Sequence, residues 1–513
     1  MFQKVFTLAY ELLPRDAHRA ARMLAHGAAA PVPEEVVGKL EAVFTPAVRA
    51  TLVTRSVITP ILGGTPALFG AMHAVLADFL RVQSERLNDT RECLERMAAA
   101  IHEVCIGFSV EMPSNWPLLD LCMPHLEALM ERAESWATLY LPVIRGQLDR
   151  AMLLERRRAH AEALEVYSSV VKLARDSLGP ETDLTIVSMI GVAKASTALG
   201  NYAAAAETLE EAAERSRRGL GDDHPFTYLA SSNLAGALLH LGETERARAL
   251  AEETLAAAER TLGNEDLMTA SFREQLAEVM IAQGNLLGGL NLSNEVFRVR
   301  VSQLGADHPQ TLASIQTLGD LADEVGQYET ARMAQDRLLK ATERQFGRDH
   351  PRTISAMNAL AGTLRAQGEL QEARKLAQDV VSVLGAGAEE EVPFLLAQQT
   401  MALIDLAEGK YTDAETKLEG LIDVAQRVLG PQDGITLTLI GSLAGVFHER
   451  GHYDKARVLQ EDVLRTWREK TSTNHPQKLR AMSNLAGTLA AMGDVDQARR
   501  LREEITEAVR SAS

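Results

Sequence analysis

One spacing governs the last two-thirds of this chain: a glycine followed five residues later by a small residue, returning with a 42-residue period. The pair occurs as Gly200/Ala205, Gly242/Ala247, Gly284/Gly289, Gly326/Ala331, Gly368/Ala373, Gly409/Ala414, Gly451/Ala456 and Gly493/Ala498. The step from one glycine to the next is 42 in six of the seven cases and 41 in the other. A second marker keeps the same step: Leu178-Gly179, Leu220-Gly221, Leu262-Gly263, Leu304-Gly305 and Phe346-Gly347. Each is followed by a threonine, at Thr185, Thr227, Thr269, Thr311 and Thr353. The register weakens between Leu384 and Pro393 and returns at Leu429-Gly430 and Thr436. A fixed period of this length means stacked supersecondary units, none of which buries its apolar face alone.

Each unit reads as two helices. Between Thr311 and Gly326, the residues Leu312, Ile315, Leu318, Leu321, Ala322 and Val325 recur at helical spacing and form one apolar stripe. Gly326 ends that helix, because glycine takes the left-handed conformation that closes a helix most easily. Tyr328, Ala331, Leu338 and Ala341 share one side of the next helix. Asp307-His308-Pro309 starts the first helix, with proline suited to the first helical turn and a polar residue before it to cap free amides. The fold class expected is all-α, an α-solenoid.

Composition narrows the function classes. Lys+Arg is 53 and Asp+Glu is 70, a net charge of −17. Nucleic acid binding draws on clustered Lys and Arg, so neither nucleic acid nor an anionic membrane surface is expected as a partner. The three cysteines, Cys93, Cys105 and Cys122, have no paired spacing, which points to a reducing compartment, the cytoplasm. Charges interrupt the apolar stretch of the first twenty residues, so they do not read as a signal peptide. No apolar window is long enough to span a bilayer.

At the phrases LGDDHPFT, LGADHPQT and FGRDHPRT the chain resembles the tetratricopeptide repeat family, in the 42-residue subclass of kinesin light chains and of many bacterial and fungal regulators. Ser232-Asn233-Leu234-Ala235 and Ser483-Asn484-Leu485-Ala486 are similar to that subclass's first-helix core. The resemblance covers about Leu141 to Ala512; the first unit is degenerate, with Arg158 in the glycine place and Ala163 in the small-residue place. It implies a right-handed superhelix of about nine repeats over residues 139–513, with a concave binding face.

The N-terminal third lacks the period. Prolines 31, 33, 46, 60 and 66 with Gly63-Gly64 cut it into short elements. Helical patterns cover about Lys4–His26, Pro33–Val43, Pro46–Leu52 and Leu68–Arg86, and Val53 to Phe69 reads as a small hairpin around the glycines. This plan resembles the winged-helix segment of signal-transducing STAND (NB-ARC-type) ATPases, with Met72-His73 as the pair that opens a helix after the hairpin. The resemblance sets a winged-helix-like module at 1–88 and a helical linker at 89–138, carrying Asn115-Trp116-Pro117 and Cys122-Met123-Pro124-His125. The NTPase core is missing: the chain has no GxxxxGK[ST] loop. With no phosphate to sense, His73 is expected to be a helix-start residue. Residues 1–90 hold nine Lys/Arg and eight Asp/Glu, so no basic face marks a DNA-binding wing.

Catalytic and metal signatures are sparse. HExxH, GxSxG and CxxC are absent. The His-Pro histidines His224, His308, His350 and His475 fall one per unit and read as helix-start punctuation, too far apart to share an ion. No metal and no cofactor is expected. His102 and Cys105 share a helix face, a spacing that would suit a Cys–His nucleophile pair, but no orienting acid stands beside them in sequence. No catalytic residue is assigned and the chain is not expected to be an enzyme.

The face of the first helices carries the functional signal. By the resemblance, the places −13, −10, −9, −6 and −2 relative to each unit glycine line the groove. They hold Asn233 and His240; Glu274, Gln275 and Glu278; Gln316, Thr317, Asp320 and Glu324. They continue with Asn358; Gln399 and Thr400; Ser442 and Glu449; Arg480 and Asn484. Amides pair with both backbone groups of an extended peptide. Five carboxylates in the groove favour a partner bearing Lys or Arg. Gly236, Gly362, Gly445 and Gly487 share one register here, leaving room for a ligand or for neighbouring helices. The expected function is a protein-interaction scaffold that holds a peptide or helix of a partner. Two alternatives stay open: a regulatory sensor acting with a separate NTPase or transcription factor, and an enzyme with an unrecognised site.

Overall fold

The computed structural model describes residues 7, 10–28, 30–61, 66–107, 115–133, 140–470 and 476–512. The chain forms two compact units, Met1–Leu241 and Gly242–Ser513.

The first unit opens with α1 (Arg15–Ala25), β1 (Val32–Pro33), α2 (Glu34–Gly38), α3 (Pro46–Thr54), β2 (Leu68–Gly70) and α4 (Ala74–Leu87). Then come α5 (Thr90–Gly107), α6 (Trp116–Ala133), α7 (Tyr140–Arg156), α8 (His160–Leu178), α9 (Asp183–Ala198), α10 (Tyr202–Gly219) and α11 (Pro225–His240). One core of buried residues runs from Leu13 to Ala195, so the helices before the repeats and the first repeats are packed together. Arg22 on α1 is buried and donates to Asp89 (Nε to Oδ2, 2.8 Å), pinning α1 to the α4–α5 corner. His125 on α6 accepts from the Ala28 N–H (3.0 Å) and donates to the Pro31 carbonyl (3.2 Å). Burial holds its pKa below the ordinary imidazole range, as a ring with one donor and one acceptor requires.

The short N-terminal elements differ from expectation. Pro14 breaks the helix expected over Lys4–His26, and α1 starts after it. The helix at 33–43 shortens to α2. Val53 and Thr54 complete α3, so the first arm of the expected hairpin shrinks to Thr59, which exchanges two backbone bonds with Ala71 (2.9 and 3.0 Å). Leu68–Gly70, where the expected hairpin arm (to Phe69) and the expected helix from Leu68 overlapped, is a strand, paired antiparallel to β1. Three residues are too few to separate the two periods. The Gly63-Gly64 turn lies outside the described residues. His73 caps α4 as expected, its Nδ1 accepting from the Val75 N–H (3.2 Å).

The second unit holds α12 (Thr244–Thr261), α13 (Leu267–Ala282), α14 (Leu286–Leu304), α15 (Pro309–Glu324), α16 (Tyr328–Phe346), α17 (Pro351–Ala366) and α18 (Leu370–Leu384). It ends with α19 (Val392–Ala407), α20 (Tyr411–Val428), α21 (Gly434–Glu449), α22 (Tyr453–Lys470), α23 (Pro476–Ala491) and α24 (Val495–Ala512). Consecutive helices pack in pairs, and each repeat buries its stripe against the next, which makes the fold an α-solenoid without a closed sheet.

Every sequence marker has a structural task. The unit glycines from Gly242 to Gly493 take φ of 76–87°, the left-handed turn that ends each first helix. In the degenerate first unit Arg158 holds that place at φ 60°, at a steric cost glycine avoids. The alanines five residues on are buried, Ala331 and Ala373 completely. The periodic threonines are buried and, with one exception, each donates its hydroxyl to the carbonyl of the marker glycine. Thr185 reaches Gly179, Thr227 Gly221, Thr311 Gly305 and Thr353 Gly347, all at 2.8 Å, and Thr436 reaches Gly430 at 2.9 Å. Thr269 is the exception: its hydroxyl is buried with no partner. His224, His308 and His350 cap their helices through Nδ1, accepting from the N–H two residues on at 3.2–3.3 Å. Asp266 and Asp433 take the same place (2.7 and 2.8 Å). His475 lies outside the described residues.

Two stability effects follow. Thr353→Val should cost about 1 kcal/mol in urea unfolding, whereas Thr269→Val, which removes a buried hydroxyl with no partner, should be neutral or stabilising. Equal losses at both positions would disprove the role given to the threonine bond. Arg158→Gly should stabilise the first unit by roughly 0.5–1 kcal/mol, seen as a higher thermal midpoint.

Candidate functional site

The first-helix places of the second unit fall into three groups. Some are tied up between helices. Asn358 is buried and donates to the Pro393 carbonyl (2.9 Å), joining α17 to α19. Gln399 is buried and donates to Ser442 Oγ (2.9 Å), joining α19 to α21. Glu274 is chelated by Arg300 of α14 at 2.6 and 2.8 Å, and Arg300 also donates to Ser314 of α15 (2.7 Å). Arg300 is only 5% exposed, so Glu274 serves as its counter-ion.

A second group is open and acidic. Glu278 and Asp320 reach solvent, Glu324 is half-buried, and none of the three pairs with Lys or Arg among the described residues. Gln275 donates to Glu278 (3.1 Å). Surrounding protein excludes much of the bulk water from these carboxyls. That burial, with Glu274 nearby, raises the Glu278 pKa. Burial together with Asp323 and Glu324 pushes Asp320 up to about 6. Glu324 is also raised by burial, although Arg480 acts against the shift. Gln316 and Thr317 lie exposed on the same helix as Asp320.

The third group is exposed: Asn484 and Arg480 on α23, with Glu449 on α21. They are joined by Arg365 of α17, which counting back from the glycines did not select because it lies three residues before Gly368. Asn233 belongs to the other unit. It is half-buried and donates to the Leu229 carbonyl of its own helix (2.7 Å), while His240 stacks on Tyr202 with centroids 4.5 Å apart.

The Cys–His pair of the first unit has an acid after all. Asp149 on α7 lies 3.7 Å from His102 Nδ1, a neighbour the sequence spacing hid. Burial pushes Asp149 up to about 7 and His102 below its ordinary value. Cys105 and Cys122 are buried against each other, and that contact with burial raises the Cys105 thiol far above its usual range. A buried thiol held protonated is no nucleophile, so this constellation is packing. No described helix is long and apolar enough to cross a membrane.

The tetratricopeptide repeat model matches residues 143–218, 191–260, 265–340, 324–385, 395–469 and 443–511. No curated protein sequence matches the chain. Among solved structures, the chain is similar to a STAND ATPase with a tetratricopeptide repeat sensor from Pyrococcus horikoshii, at 14% identity and TM-score 0.61, over 98% of this chain and 67% of that one. It is similar to the apo form of RapI at 10% identity and TM-score 0.54, over 72% of this chain and 98% of that one. A Podospora anserina protein with kinesin light chain TPR-like repeats matches at 24% identity and TM-score 0.36, over 39% of this chain and 94% of that one.

Asp320 yields a stability test. An acid whose folded pKa lies above its unfolded value disfavours the fold once it ionises, so stability falls as pH rises from about 4 through about 6. Asp320→Asn should raise the thermal midpoint at pH 7 by about 1–2 °C, a small gain because solvent screens the exposed carboxyl. The difference should vanish near pH 4; a gain that persists there would refute the electrostatic cause.

Proposed function

The chain belongs to the tetratricopeptide repeat family, and from that premise we propose that it is a protein-interaction scaffold that holds a peptide or helix of a partner on the first helices of its second unit. The observation that carries the reading is the set of carboxylates Glu278, Asp320 and Glu324, raised in pKa and in no ion pair among the described residues, with Arg480 only partly offsetting the shift at Glu324. A Lys or Arg from a bound segment would relieve burial and like-charge repulsion together. Half-buried Gln275 and exposed Gln316 and Asn484 add donors and acceptors for a peptide backbone. The contribution is binding, with no chemical step. The three cysteines are all free and buried, which fits a cytoplasmic protein.

A second reading, a regulatory sensor that works with a separately made NTPase, has support in the fold likeness to the STAND ATPase, which extends over the N-terminal third. Co-purification of an NTPase would favour it.

The test is charge reversal. Glu278, Asp320 and Glu324 are replaced together by Lys; Glu274 is left intact because its loss would strand buried Arg300. Affinity purification with mass spectrometry should lose the partners kept by the wild-type chain, while the circular dichroism spectrum is unchanged. Retention of the same partners at the same yield would remove the acidic face from the account.

A further inference from the structure

A small cavity of ≈ 40 Å³ opens between α13, α14 and α15 of the second unit. Buried Ala277 and Val296 and half-buried Ile281 supply its apolar walls. Two of its polar residues are already spent. Glu274 is held by Arg300, and the Ser314 hydroxyl accepts from Arg300 (2.7 Å) and donates to the Gln310 carbonyl (3.0 Å). Three others are available: Glu278, Ser293 and Thr317. Glu278 accepts only from Gln275 (3.1 Å) and forms no ion pair among the described residues. Since Arg300 cancels Glu274, Glu278 leaves the cavity with one net negative charge.

Ser293 is the informative member. It is only 6% exposed, on a second helix, and its hydroxyl forms no hydrogen bond among the described residues. A buried hydroxyl without a partner costs the fold free energy, so it calls for a reason. The fold gives Ser293 no partner, and its place in the cavity wall turns it toward whatever enters. Thr317, across on α15, is exposed and likewise forms no hydrogen bond among the described residues.

We propose that this cavity receives the ammonium group of a lysine side chain on a bound segment, with Glu278, Ser293 and Thr317 as its three acceptors. The inference rests on the basic-partner reading above and narrows it from Lys or Arg to Lys. An ammonium has three N–H donors and no acceptor, which matches one carboxylate and two free hydroxyls. At roughly 10–15 Å³ for each water-sized group, the cavity holds about three, enough for the ammonium and the end of its unbranched stem. A guanidinium is planar and broader, with five donors in a rigid fork, and would leave some of them against the apolar walls. A neutral donor leaves the charge on Glu278 unanswered.

The probes are fluorescein-labelled octalysine and octaarginine, titrated with the full chain at low ionic strength and followed by anisotropy. On an acidic surface without a fitted cavity octaarginine binds at least as tightly, because guanidinium forks pair with carboxylates through two bonds at once. The expected result is the reverse, with octalysine tighter by roughly 5- to 30-fold. Ser293→Ala and Thr317→Val should each weaken octalysine several-fold and leave octaarginine unchanged. Ser293→Ala removes a hydroxyl with no partner, so its thermal midpoint should hold or rise, which separates a lost contact from a lost fold. Cadaverine, a free primary diamine, is the third probe. Cadaverine binding that depends on Ser293, without octalysine binding, would overturn the assignment to a bound segment. Equal affinity for the two peptides, or octalysine indifferent to both substitutions, would overturn the cavity and leave the acidic face standing. Binding of neither peptide would overturn both.

Discussion

The left-handed glycine that ends each first helix sets the step of the second unit, and at three of its turns a hydrogen bond from a buried threonine to the carbonyl of the marker glycine reinforces it. That bond closes the turn that leads into a first helix, at nearly constant length from Thr311 to Thr436. The left-handed glycine at the far end of that helix closes the other turn. With both turns fixed, each first helix starts in the same rotational register as the last. Residues at equivalent places then fall on the same side of successive first helices. A hairpin with a loose turn would rotate its stripe out of the neighbouring hairpin's groove, and both the core and the face would be lost together.

The fold was legible because its determinants are local and periodic. Gly326, Ala331, Thr311 and His308 each act within one turn or one hairpin, so spacing alone revealed them. The caps are a case in point: histidine is an unusual residue to start a helix, yet Nδ1 takes the same backbone amide that Asp266 takes with its carboxylate. The N-terminal strands were only partly legible, because the hairpin pattern placed an arm at Phe69 but could not show its partner. Leu68–Gly70 owes its conformation to Val32 and Pro33, far away in the sequence, and is too short to display a period.

The face was only half legible. Counting places from the family pattern selects the side of a helix, and the side does not say whether a polar side chain is spent on a neighbour. Asn358 and Gln399 are spent in this way, each on the first helix of the following repeat. Glu274 is spent on Arg300, whose place on a second helix no groove rule inspects. Arg365 went unselected because it stands a single residue off the counted places. Asp149 was missed beside His102 because it belongs to α7, a different helix further along the chain.

The charged groups of the second unit divide into two populations with different physics. Those between hairpins are matched. Arg273 meets Glu259 and Glu295 at 2.7 and 3.0 Å, and Arg374 meets Asp405 and Glu408 at 2.9 and 3.1 Å. Burial pushes Asp405 up, yet hydrogen bonds from Lys417 and Arg374 hold it below the usual carboxylate range. Such pairs fix the register of neighbouring hairpins more than they add net stability, since desolvation offsets most of their attraction. The groups on the open face form no ion pair among the described residues, and their pKa values move up for Glu278, Asp320 and Glu324 and down for Arg365, with Arg480 offsetting part of the shift at Glu324 and Asp323 part of that at Arg365. The fold therefore matches its charges where helices touch and leaves several outside any ion pair on one face. The unmatched acids lie on α13 and α15 and the unmatched arginines on α17 and α23. The two signs nonetheless act on one another, Arg480 on Glu324 and Asp323 on Arg365, so the first helices carry one mixed field rather than two separate ones.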